Sequence, residues 1–449
     1  MTITTPVCVD RPDAVTADLR ELSGRTVAWF ELSGRRRGGD GSAEAEVVAR
    51  AITLATSIGC PVVGMVRSVS VPPGPEGLAG LAAWGRVAAA AVRASGVVPI
   101  VLAVTGPVHG SLAPLLALAD HVVMTTEASA YVNGPGPVAT ITGTLTDPGR
   151  LGGGRVHSRV TGLAALIAHD ADDALDAVGD LLDHLPDNHL DDAPIRFTDD
   201  PAGRLCELAA ATVPADPAKA YDVRDVLADI FDRDSVLEVH AEHAPGLVTA
   251  YARLAGRSVA VVANQPCVLA GTLDIDSSVK GARHVQCADS FGLPLVTLVD
   301  TPGYQPGRDI EARGMIRHGA TLVHAYAAAT VPRVCVILRK AYGGAYIVMD
   351  SHTMGSDLVL AWPRAEIAVM GPAGAMEILH RGQIAPAMRA RLEDEYRSTY
   401  CTPRLAAERG LVDSVINPAD TRRVLTAALG RLHTKRPHLP ARKHSNQPL

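Results

Sequence analysis

Short apolar runs alternate with longer alanine-rich segments along the chain. The apolar runs at 61–66, 100–104 and 295–299 have the length and composition of buried strands. The alanine-rich segments at 43–55 and 78–94 have the length and composition of helices. This alternation predicts a mostly parallel sheet flanked by helices, so the expected fold class is α/β.

Four segments of the first half recur in the second half in the same order. Their offsets are 232, 233, 233 and 237 residues, so the register changes little over about a hundred residues. A period of this length indicates a domain duplication, because solenoid repeats are roughly 20–50 residues long. The matched pairs are GRTVA at 24–28 with GRSVA at 256–260, IGCPVV at 58–63 with FGLPLV at 291–296, Val98-Pro99 with Val331-Pro332, and Gly134-Pro135 with Gly371-Pro372.

The two predicted domains meet in a proline-bearing segment. Prolines cluster within 196–225, and a new helix pattern begins near Val223. We therefore expect an N-terminal domain over 1–221 and a C-terminal domain over 222–449.

Two other stretches differ from the surrounding pattern. Residues 1–23 have little core potential and are interpreted as a lead-in. The acidic stretch 169–192 predicts a solvated amphipathic helix with its exit loop, an interpretation that we favour over a metal site.

Composition excludes several classes of protein. The 449 residues are 47% hydrophobic, which argues against disorder, and the net charge of −6 argues against nucleic-acid binding. The seven cysteines are scattered without a C-x-x-C pair, so neither a zinc site nor a disulfide framework is predicted. We see no signal-peptide pattern and no apolar run long enough to cross a bilayer. We therefore expect a cytoplasmic protein without a metal or a membrane partner.

Residues 338–349, LRKAYGGAYIVM, join a predicted strand to a predicted helix through two glycines. This arrangement directs backbone N–H groups towards a developing negative charge. Gly343 and Gly344 allow a ligand to approach the main chain without meeting a Cβ atom. A tight turn without any ligand would give the same pattern, so the stretch does not decide the function alone.

A series of motifs places the chain near one known family. The second half resembles the carboxyltransferase subunit of biotin-dependent acyl-CoA carboxylases, especially the β chains of propionyl-CoA carboxylases. The first half is similar too, but through fewer motifs. The second-half motifs are NQP at 264–266, LDIDSSVKGAR at 273–283, VDTPGY at 299–304, IRHGA at 316–320, AYGGAY at 341–346, AWP at 361–363, AEIAVMG at 365–371 and RKHSN at 442–446. The first-half motifs are Gly134-Pro135, LGG at 151–153, His157 and KAY at 219–221.

The resemblance implies two tandem crotonase-like domains in a homo-oligomer, expected to be a hexamer. It implies an enzyme that moves a carboxyl group from carboxybiotin to the α-carbon of a short acyl-CoA such as acetyl- or propionyl-CoA. The acyl-CoA would bind on the N-terminal side and carboxybiotin on the C-terminal side. Biotin would come on a separate carrier protein, with biotin carboxylase on another chain, since no biotinylation motif is present. The basic C-terminal tail would then pack in place.

The resemblance also implies the site residues. Two oxyanion holes would stabilise the thioester enolate and the biotin ureido oxygen. The N–H groups of Gly344 and Ala345 would form one hole, and those of Gly110 and Ser111 the other. The residues expected to contact substrate are His109, Gly303, Tyr342, Gly343, Tyr346 and Ile347.

The first half departs from the family pattern. Ser111 replaces the second glycine of its turn, and 67–72 lacks the family's Ser-Gly-Gly-Ala-Arg run. We favour altered acyl specificity, but a biotin-independent decarboxylase or transcarboxylase acting on a malonyl-type thioester, or a catalytically silent subunit, remains open.

Two residues, His109 and Ile347, each allow two interpretations. His109 could be an acid–base group, but its counterpart Tyr342 favours a large side chain that caps the turn. Ile347 stands where propionyl-preferring relatives have aspartate, so it either widens acyl specificity or belongs to the helix core.

Overall fold

The computed structural model describes residues 15–33, 41–68, 77–380, 385–437 and 439–448, and at Ser111 the backbone alone. Contacts within the chain divide it into two compact units. The first comprises Met1–Pro194 with Val239–His243 and Ser290–Gly292, and the second comprises the remainder. Residues 195–221 therefore pack within the second unit, although the sequence analysis assigned them to the N-terminal domain.

The first unit contains a six-stranded sheet with helices on it, in the order β1-β2-β3-β4-β6-β8. Strands β2, β3, β4, β6 and β8 run parallel, and β5 pairs with β7 in a small second sheet. The strands are β1 (Val15–Leu22), β2 (Arg25–Leu32), β3 (Val62–Val66), β4 (Ile100–Val104), β5 (Pro107–His109), β6 (His121–Thr125), β7 (Ser129–Tyr131) and β8 (Leu166–Ala168). The helices are α1 (Ser42–Ile58), α2 (Gly77–Ala94), α3 (Pro135–Thr142), α4 (Pro148–Gly152), α5 (Gly154–Val156) and α6 (Ala171–His184), with a 3₁₀ helix over Gly110–Leu118 and a π turn over His157–Thr161.

The predicted solvated helix is α6. The side chain of Asp170 caps its first turn by accepting from the N–H groups of Asp172 and Asp173. Val178 and Leu181 face the core, whereas four of the acidic residues, Asp172, Asp173, Asp176 and Asp180, are exposed. The prediction of an amphipathic helix in the acidic stretch is confirmed.

The second unit contains a larger sheet in the order β16-β14-β13-β12-β11-β10-β9, with β15 paired to the end of β13. Its strands are β9 (Leu237–Val239), β10 (Leu247–Leu254), β11 (Arg257–Asn264), β12 (Leu295–Thr301), β13 (Arg333–Tyr342), β14 (Leu358–Ala361), β15 (Glu366–Ala368) and β16 (Ser414–Val415). Its helices are α7 (Glu207–Thr212), α8 (Val223–Ile230), α9 (Ile275–Ser290), α10 (Arg308–Ala312), α11 (Met315–Ala328), α12 (Gly343–Val348), α13 (Pro372–Leu379), α14 (Pro386–Tyr400), α15 (Pro403–Glu408) and α16 (Thr421–Leu432), with 3₁₀ turns over Leu269–Gly271, His352–Met354 and Pro418–Asp420.

Both units contain the same antiparallel hairpin. In the first unit it corrects the interpretation of 15–23 as part of a lead-in, and the remainder of that stretch, 1–14, lies outside the described residues. Strand β1 pairs with β2 across a turn at Ser23 and Gly24, and β10 pairs with β11 across Ala255 and Gly256. In both turns the two residues have positive φ, 51° and 76° in the first and 50° and 82° in the second. Such angles match the tight turns that join twisted antiparallel strands. The shared hairpin and strand order are consistent with a domain duplication.

Each unit has its own apolar core between the sheet and its helices. No helix in the described part of the chain is long and apolar enough to cross a membrane. The described tail residues 439–444 are exposed, so the expected packing of the tail is not seen in the single chain.

Candidate active site

The glycine turn of the second unit has the predicted strand–turn–helix geometry. Strand β13 ends at Tyr342, Gly343 follows with a φ of 59°, and α12 begins there. A Cβ atom on Gly343 would lie 3.2 Å from the carbonyl oxygen of Val369, in a backbone region that L residues rarely adopt. The N–H groups of the first helical turn, including those of Gly344 and Ala345, have no i−4 carbonyl within the helix.

Four of the predicted site residues, three expected to contact substrate and one expected in an oxyanion hole, line one cavity of about 830 Å³ in the second unit. Gly343, Gly344, Tyr346 and Ile347 contribute its α12 side. The Ile347 side chain is 46% exposed, so it is a cavity-wall residue and not part of the helix core. The Tyr346 hydroxyl is buried without a hydrogen-bond partner among the described residues, and burial raises the pKa of Tyr346 to about 12.

The opposite wall of this cavity was not predicted from the sequence. Helix α14 supplies Tyr396 and Tyr400, Arg409 follows α15, and β15 supplies Ile367 and Ala368. The spacing of the two tyrosines, one helical turn apart, was the available signal. Their approach to α12 depends on tertiary packing that no local pattern contains.

Tyr342 lies beneath the glycine turn and does not line the cavity. Its side chain is 6% exposed, and its hydroxyl donates a hydrogen bond to Glu366 on β15. Arg397 pairs with the other Glu366 oxygen at 3.2 Å. A Cβ atom on Gly371 would lie 2.9 Å from the Tyr342 ring, so glycine is needed there. Burial, with the Glu366 carboxylate beside it, raises the pKa of Tyr342 well above its usual value, so the hydroxyl stays protonated.

A buried ion pair holds the ends of β12 and β13 together under the site. Arg339 donates to Asp300 at 2.9 Å, and the other Asp300 oxygen accepts from the Lys340 backbone N–H at 3.2 Å. The loop after Asp300 then reaches Gly303, which has a φ of 138° and whose carbonyl accepts from the Leu273 N–H. The pair therefore fixes the loop that carries Gly303, although Gly303 does not line the cavity.

The ring of Tyr304 covers the glycine turn from that same loop. A Cβ atom on Gly344 would lie 3.4 Å from the ring of Tyr304. Burial raises the pKa of Tyr304 to about 12, so the ring stays neutral. Gly344 thus lies between this ring and the cavity.

The first unit has a second glycine turn at the corresponding position. Strand β5 ends at His109, Gly110 has a φ of 79°, and a 3₁₀ helix begins at Gly110, with the Ser111 backbone in its first turn. A Cβ atom on Gly106 would collide with the carbonyl oxygen of Arg67, which explains the glycine there. Most of the divergent loop predicted over 67–72, from Val69 onward, lies outside the described residues.

His109 occupies the position that Tyr342 occupies in the second unit. Its ring stacks on Tyr131 with centroids 4.5 Å apart and planes 12° apart. Its Nε2 atom is buried without a hydrogen-bond partner among the described residues, and burial lowers the pKa of His109. The imidazole is therefore neutral at physiological pH.

The structure thus brings the predicted residues together as two sets, each within one unit. His109, Gly110 and the Ser111 backbone are consecutive in the first unit, and Gly343 to Ile347 form the turn and wall in the second. Within the described ranges no group of three His, Cys, Asp or Glu side chains could hold a metal ion. In both turns a strand ends at a glycine with positive φ, and a helix begins there.

Comparison with known proteins gives consistent results along nearly the whole chain. The carboxyl transferase domain model matches residues 11–447. The propionyl-CoA carboxylase beta chain of Saccharopolyspora erythraea is 43% identical over 461 residues, covering 98% of this chain and 84% of that protein. The methylmalonyl-CoA carboxyltransferase 12S subunit of Propionibacterium freudenreichii subsp. shermanii is 45% identical over 378 residues, covering 83% of this chain and 72% of that protein.

A solved structure shows the same fold. The transcarboxylase 12S crystal structure, with methylmalonyl-coenzyme A and methylmalonic acid bound, superposes with a TM-score of 0.91 at 40% identity. The match covers 98% of this chain and 86% of that one. The crotonase-type α/β fold predicted from the sequence is confirmed, and the chain belongs to the carboxyl transferase family.

Proposed function

We propose that this chain is the carboxyltransferase subunit of a biotin-dependent acyl-CoA carboxylase. The observation that carries the proposal is the 43% identity to a propionyl-CoA carboxylase beta chain over 98% of the chain. The reaction moves a carboxyl group from carboxybiotin to the α-carbon of a short-chain acyl-CoA, with acetyl- and propionyl-CoA as the first candidates. The first unit takes the acyl-CoA, and the second unit takes carboxybiotin.

The backbone donors at the two turns stabilise charge that forms during the reaction. The N–H groups of Gly344 and Ala345 donate to the biotin ureido oxygen, and those of Gly110 and Ser111 donate to the thioester oxygen. Preorganised donors act on the transition state because they need no reorientation when the charge appears. Carboxybiotin, when bound, supplies both the carboxyl group and the nitrogen that accepts the α-proton, so no protein base is needed.

The cavity at the second turn suits the ureido ring of biotin. Gly343 and Gly344 expose backbone there because neither has a Cβ atom, and the Tyr346 hydroxyl has no partner among the described residues. Buried polar groups without a protein partner commonly meet a ligand or water. Gly303 and Tyr342 support this cavity from beneath the glycine turn. Ile347 in the cavity wall sets the acyl preference, because the α-carbon of the acyl group must reach carboxybiotin there to accept the carboxyl group.

The chain works with other proteins. It assembles as a homo-oligomer, a hexamer in this proposal, as the transcarboxylase 12S relative does by its description. Biotin arrives on a separate carrier protein that a biotin carboxylase subunit loads. This assembly is proposed to act in the cytoplasm.

Reverse carboxyl transfer tests the proposal. Purified protein is incubated with malonyl-CoA or methylmalonyl-CoA, with and without free biotin, and release of acetyl- or propionyl-CoA is followed by chromatography. Release that depends on biotin is the expected result. Gly343→Ala serves as the site variant, because its left-handed backbone is strained by any side chain.

The same assay separates the alternatives. Release at an equal rate without biotin would replace the proposal with a decarboxylase that acts on malonyl-type thioesters. No release, together with no acyl-CoA binding by calorimetry, would identify a silent subunit.

A further inference from the structure

The two units hold the residue before their glycine turn in the same backbone arrangement. His109 has φ −121° and ψ 150°, and Tyr342 has φ −112° and ψ 144°. His109 is the register partner of Tyr131 in the β5–β7 pair, and Tyr342 is the register partner of Ala368 in the β13–β15 pair. The two positions are therefore equivalent, and their side chains can be compared directly.

The side chains at these positions differ in how their polar atoms are used. The Tyr342 hydroxyl donates to Glu366, so its polar atom is satisfied within the second unit. The residue equivalent to Glu366 in the first unit is Ser129, which begins β7 as Glu366 begins β15. His109 is held by its stack on Tyr131 instead, and its Nε2 atom has no partner among the described residues.

A capping role does not explain this nitrogen. A buried nitrogen without a partner costs about 1–3 kcal/mol, and a hydrocarbon ring could cover the turn equally well. The equivalent Tyr342 shows that this backbone accepts a six-membered ring. Buried polar atoms left unsatisfied in the resting protein are common where a ligand completes the bond.

The ring is held rigidly in this place. The Tyr131 side chain on which it stacks is confined by two glycines, because a Cβ atom would lie 3.4 Å from its ring on Gly134 and 3.1 Å from it on Gly152. A flat stack at 4.5 Å fixes the direction of the imidazole edge. A donor fixed before the reaction is the kind that contributes most to stabilising a transition state.

We propose that His109 is a catalytic residue whose Nε2–H donates a hydrogen bond to the thioester oxygen of the bound acyl-CoA. The inference rests on the proposed function, in which Gly110 and Ser111, the next two residues, hold that same oxygen. The neutral imidazole has one N–H and one lone pair, and the Nε2–H tautomer gives the donor. The third donor offsets the side chain at position 111, where the second unit has Gly344. His109 gives up no proton, because a hydrogen bond from Nε2–H stabilises the enolate oxygen without proton transfer, together with the two backbone donors.

Two variants distinguish the role of the Nε2–H donor from the role of the ring. His109→Phe keeps a flat ring against Tyr131 and removes the donor, whereas His109→Gln keeps an N–H donor and removes the ring. His169→Gln is the matched control, because the His169 side chain is 90% exposed in the same unit. Circular dichroism verifies that each variant is folded.

The first readout is biotin-dependent release of acetyl- or propionyl-CoA. We expect His109→Phe to lower kcat about 100-fold, as when one oxyanion donor is removed, and to raise KM up to about tenfold because the thioester loses one hydrogen bond. His109→Gln recovers part of that loss, and His169→Gln behaves as the wild type. Wild-type kcat in His109→Phe would overturn the inference and leave the proposed function intact.

The second readout does not need turnover. Calorimetry compares binding of propionyl-CoA with that of its thioether analogue, in which a CH₂ group replaces the carbonyl. We expect His109→Phe to weaken binding of the thioester about tenfold, the value of one ordinary hydrogen bond, and to leave thioether binding unchanged. Equal weakening of both ligands would overturn the inference in favour of a packing role. A wild-type protein that binds neither ligand would overturn the proposed function and this inference with it.

Discussion

Arg339 and Asp300 form a hydrogen-bonded ion pair of 2.9 Å inside the second unit, with side-chain exposures of 4% and 0%. The Arg339 guanidinium also donates to the carbonyls of Asp216 and Lys219 and lies 5.0 Å from the centre of the Tyr221 ring. One arginine therefore joins the strand ends below the glycine turn to the segment that precedes α8. This contact gives the KAY motif at 219–221 a structural role.

Removal of Asp300 leaves a buried guanidinium without its counter-charge. We expect Asp300→Ala to lower the free energy of unfolding by about 3–5 kcal/mol, the usual cost of breaking a buried pair from one side. Urea unfolding followed by circular dichroism measures it. Glu408→Ala is the control, because its pair with Arg404 is exposed and should change stability by less than ~1 kcal/mol. Equal effects of the two variants would contradict the structural role of the buried pair.

Because Gly343 has a left-handed backbone, we predict that its replacement by alanine has a different effect from replacement of an ordinary helical glycine. Alanine at 343 must adopt a φ near 59°, at a cost of roughly 1–2 kcal/mol, with its Cβ against Val369. We expect Gly343→Ala to be less stable and to lose most of its carboxyl transfer activity, because the N–H groups of the turn move. Thermal unfolding and the biotin-dependent assay measure the two effects.

Gly430 provides the control for this substitution. It lies in α16, and a Cβ atom there would meet no atom within 4 Å. Gly430→Ala should therefore leave activity unchanged and raise stability by up to about 1 kcal/mol through helix propensity. If Gly343→Ala behaved in the same way, the turn would not be strained.

The repeat in the sequence predicted more of the fold than any local pattern did. The offsets of 232 and 233 residues that align Arg25 with Arg257 and Pro99 with Pro332 also align β2 with β11 and β4 with β13. Strand β1 was missed because its sequence, VTADLREL, carries a polar or charged residue at half of its positions. Its counterpart β10 is fully buried. The burial of β10 arises from tertiary packing. The residue types of β1 do not reveal such packing.

The part of the site that could be predicted from the sequence is the backbone geometry of the two turns, because the positions of the glycines indicate it. Gly343 was identified from the strand–glycine–helix pattern and Gly110 from its alignment with that turn in the repeat. Both have the positive φ values, 59° and 79°, that glycine readily adopts. The partners of the neighbouring side chains could not be predicted. Glu366 lies 24 residues from Tyr342, and Tyr131 lies 22 residues from His109, so both contacts depend on strand pairing.

The exposed position of Ile347 in the cavity wall predicts that its substitution changes the acyl selectivity of the enzyme. Aspartate occupies this position in propionyl-preferring relatives according to the family resemblance, so Ile347→Asp should favour propionyl-CoA over acetyl-CoA. A difference of one methylene corresponds to ~1–3 kcal/mol, so the ratio of kcat/KM values should change about tenfold or more. Ile347→Val keeps the apolar wall and should leave the ratio nearly unchanged. An unaltered ratio in Ile347→Asp would mean that the acyl group does not reach this side chain.

Lys280 on α9 predicts a specific dependence of stability on pH. Burial lowers the pKa of Lys280 from 10.5 to about 7, although the nearby Glu238 carboxylate acts in the opposite direction. The unfolded chain therefore binds one more proton than the folded chain between about pH 7 and 10.5. Because stability rises with pH wherever the unfolded state binds more protons, this lysine contributes a positive slope of up to about 1.4 kcal/mol per pH unit.

Substitution by methionine removes the titrating group and keeps the length of the side chain. We expect the difference in unfolding free energy between wild type and Lys280→Met to move in favour of the wild type as pH rises from 7 to 9.5. Subtracting the two curves cancels the titration of all groups that the proteins share. Urea unfolding at pH 7, 8 and 9 for both proteins measures this difference. A difference that stays constant over this range would show that Lys280 keeps its proton in the folded state, stabilised by Glu238 and Asp274 despite its burial.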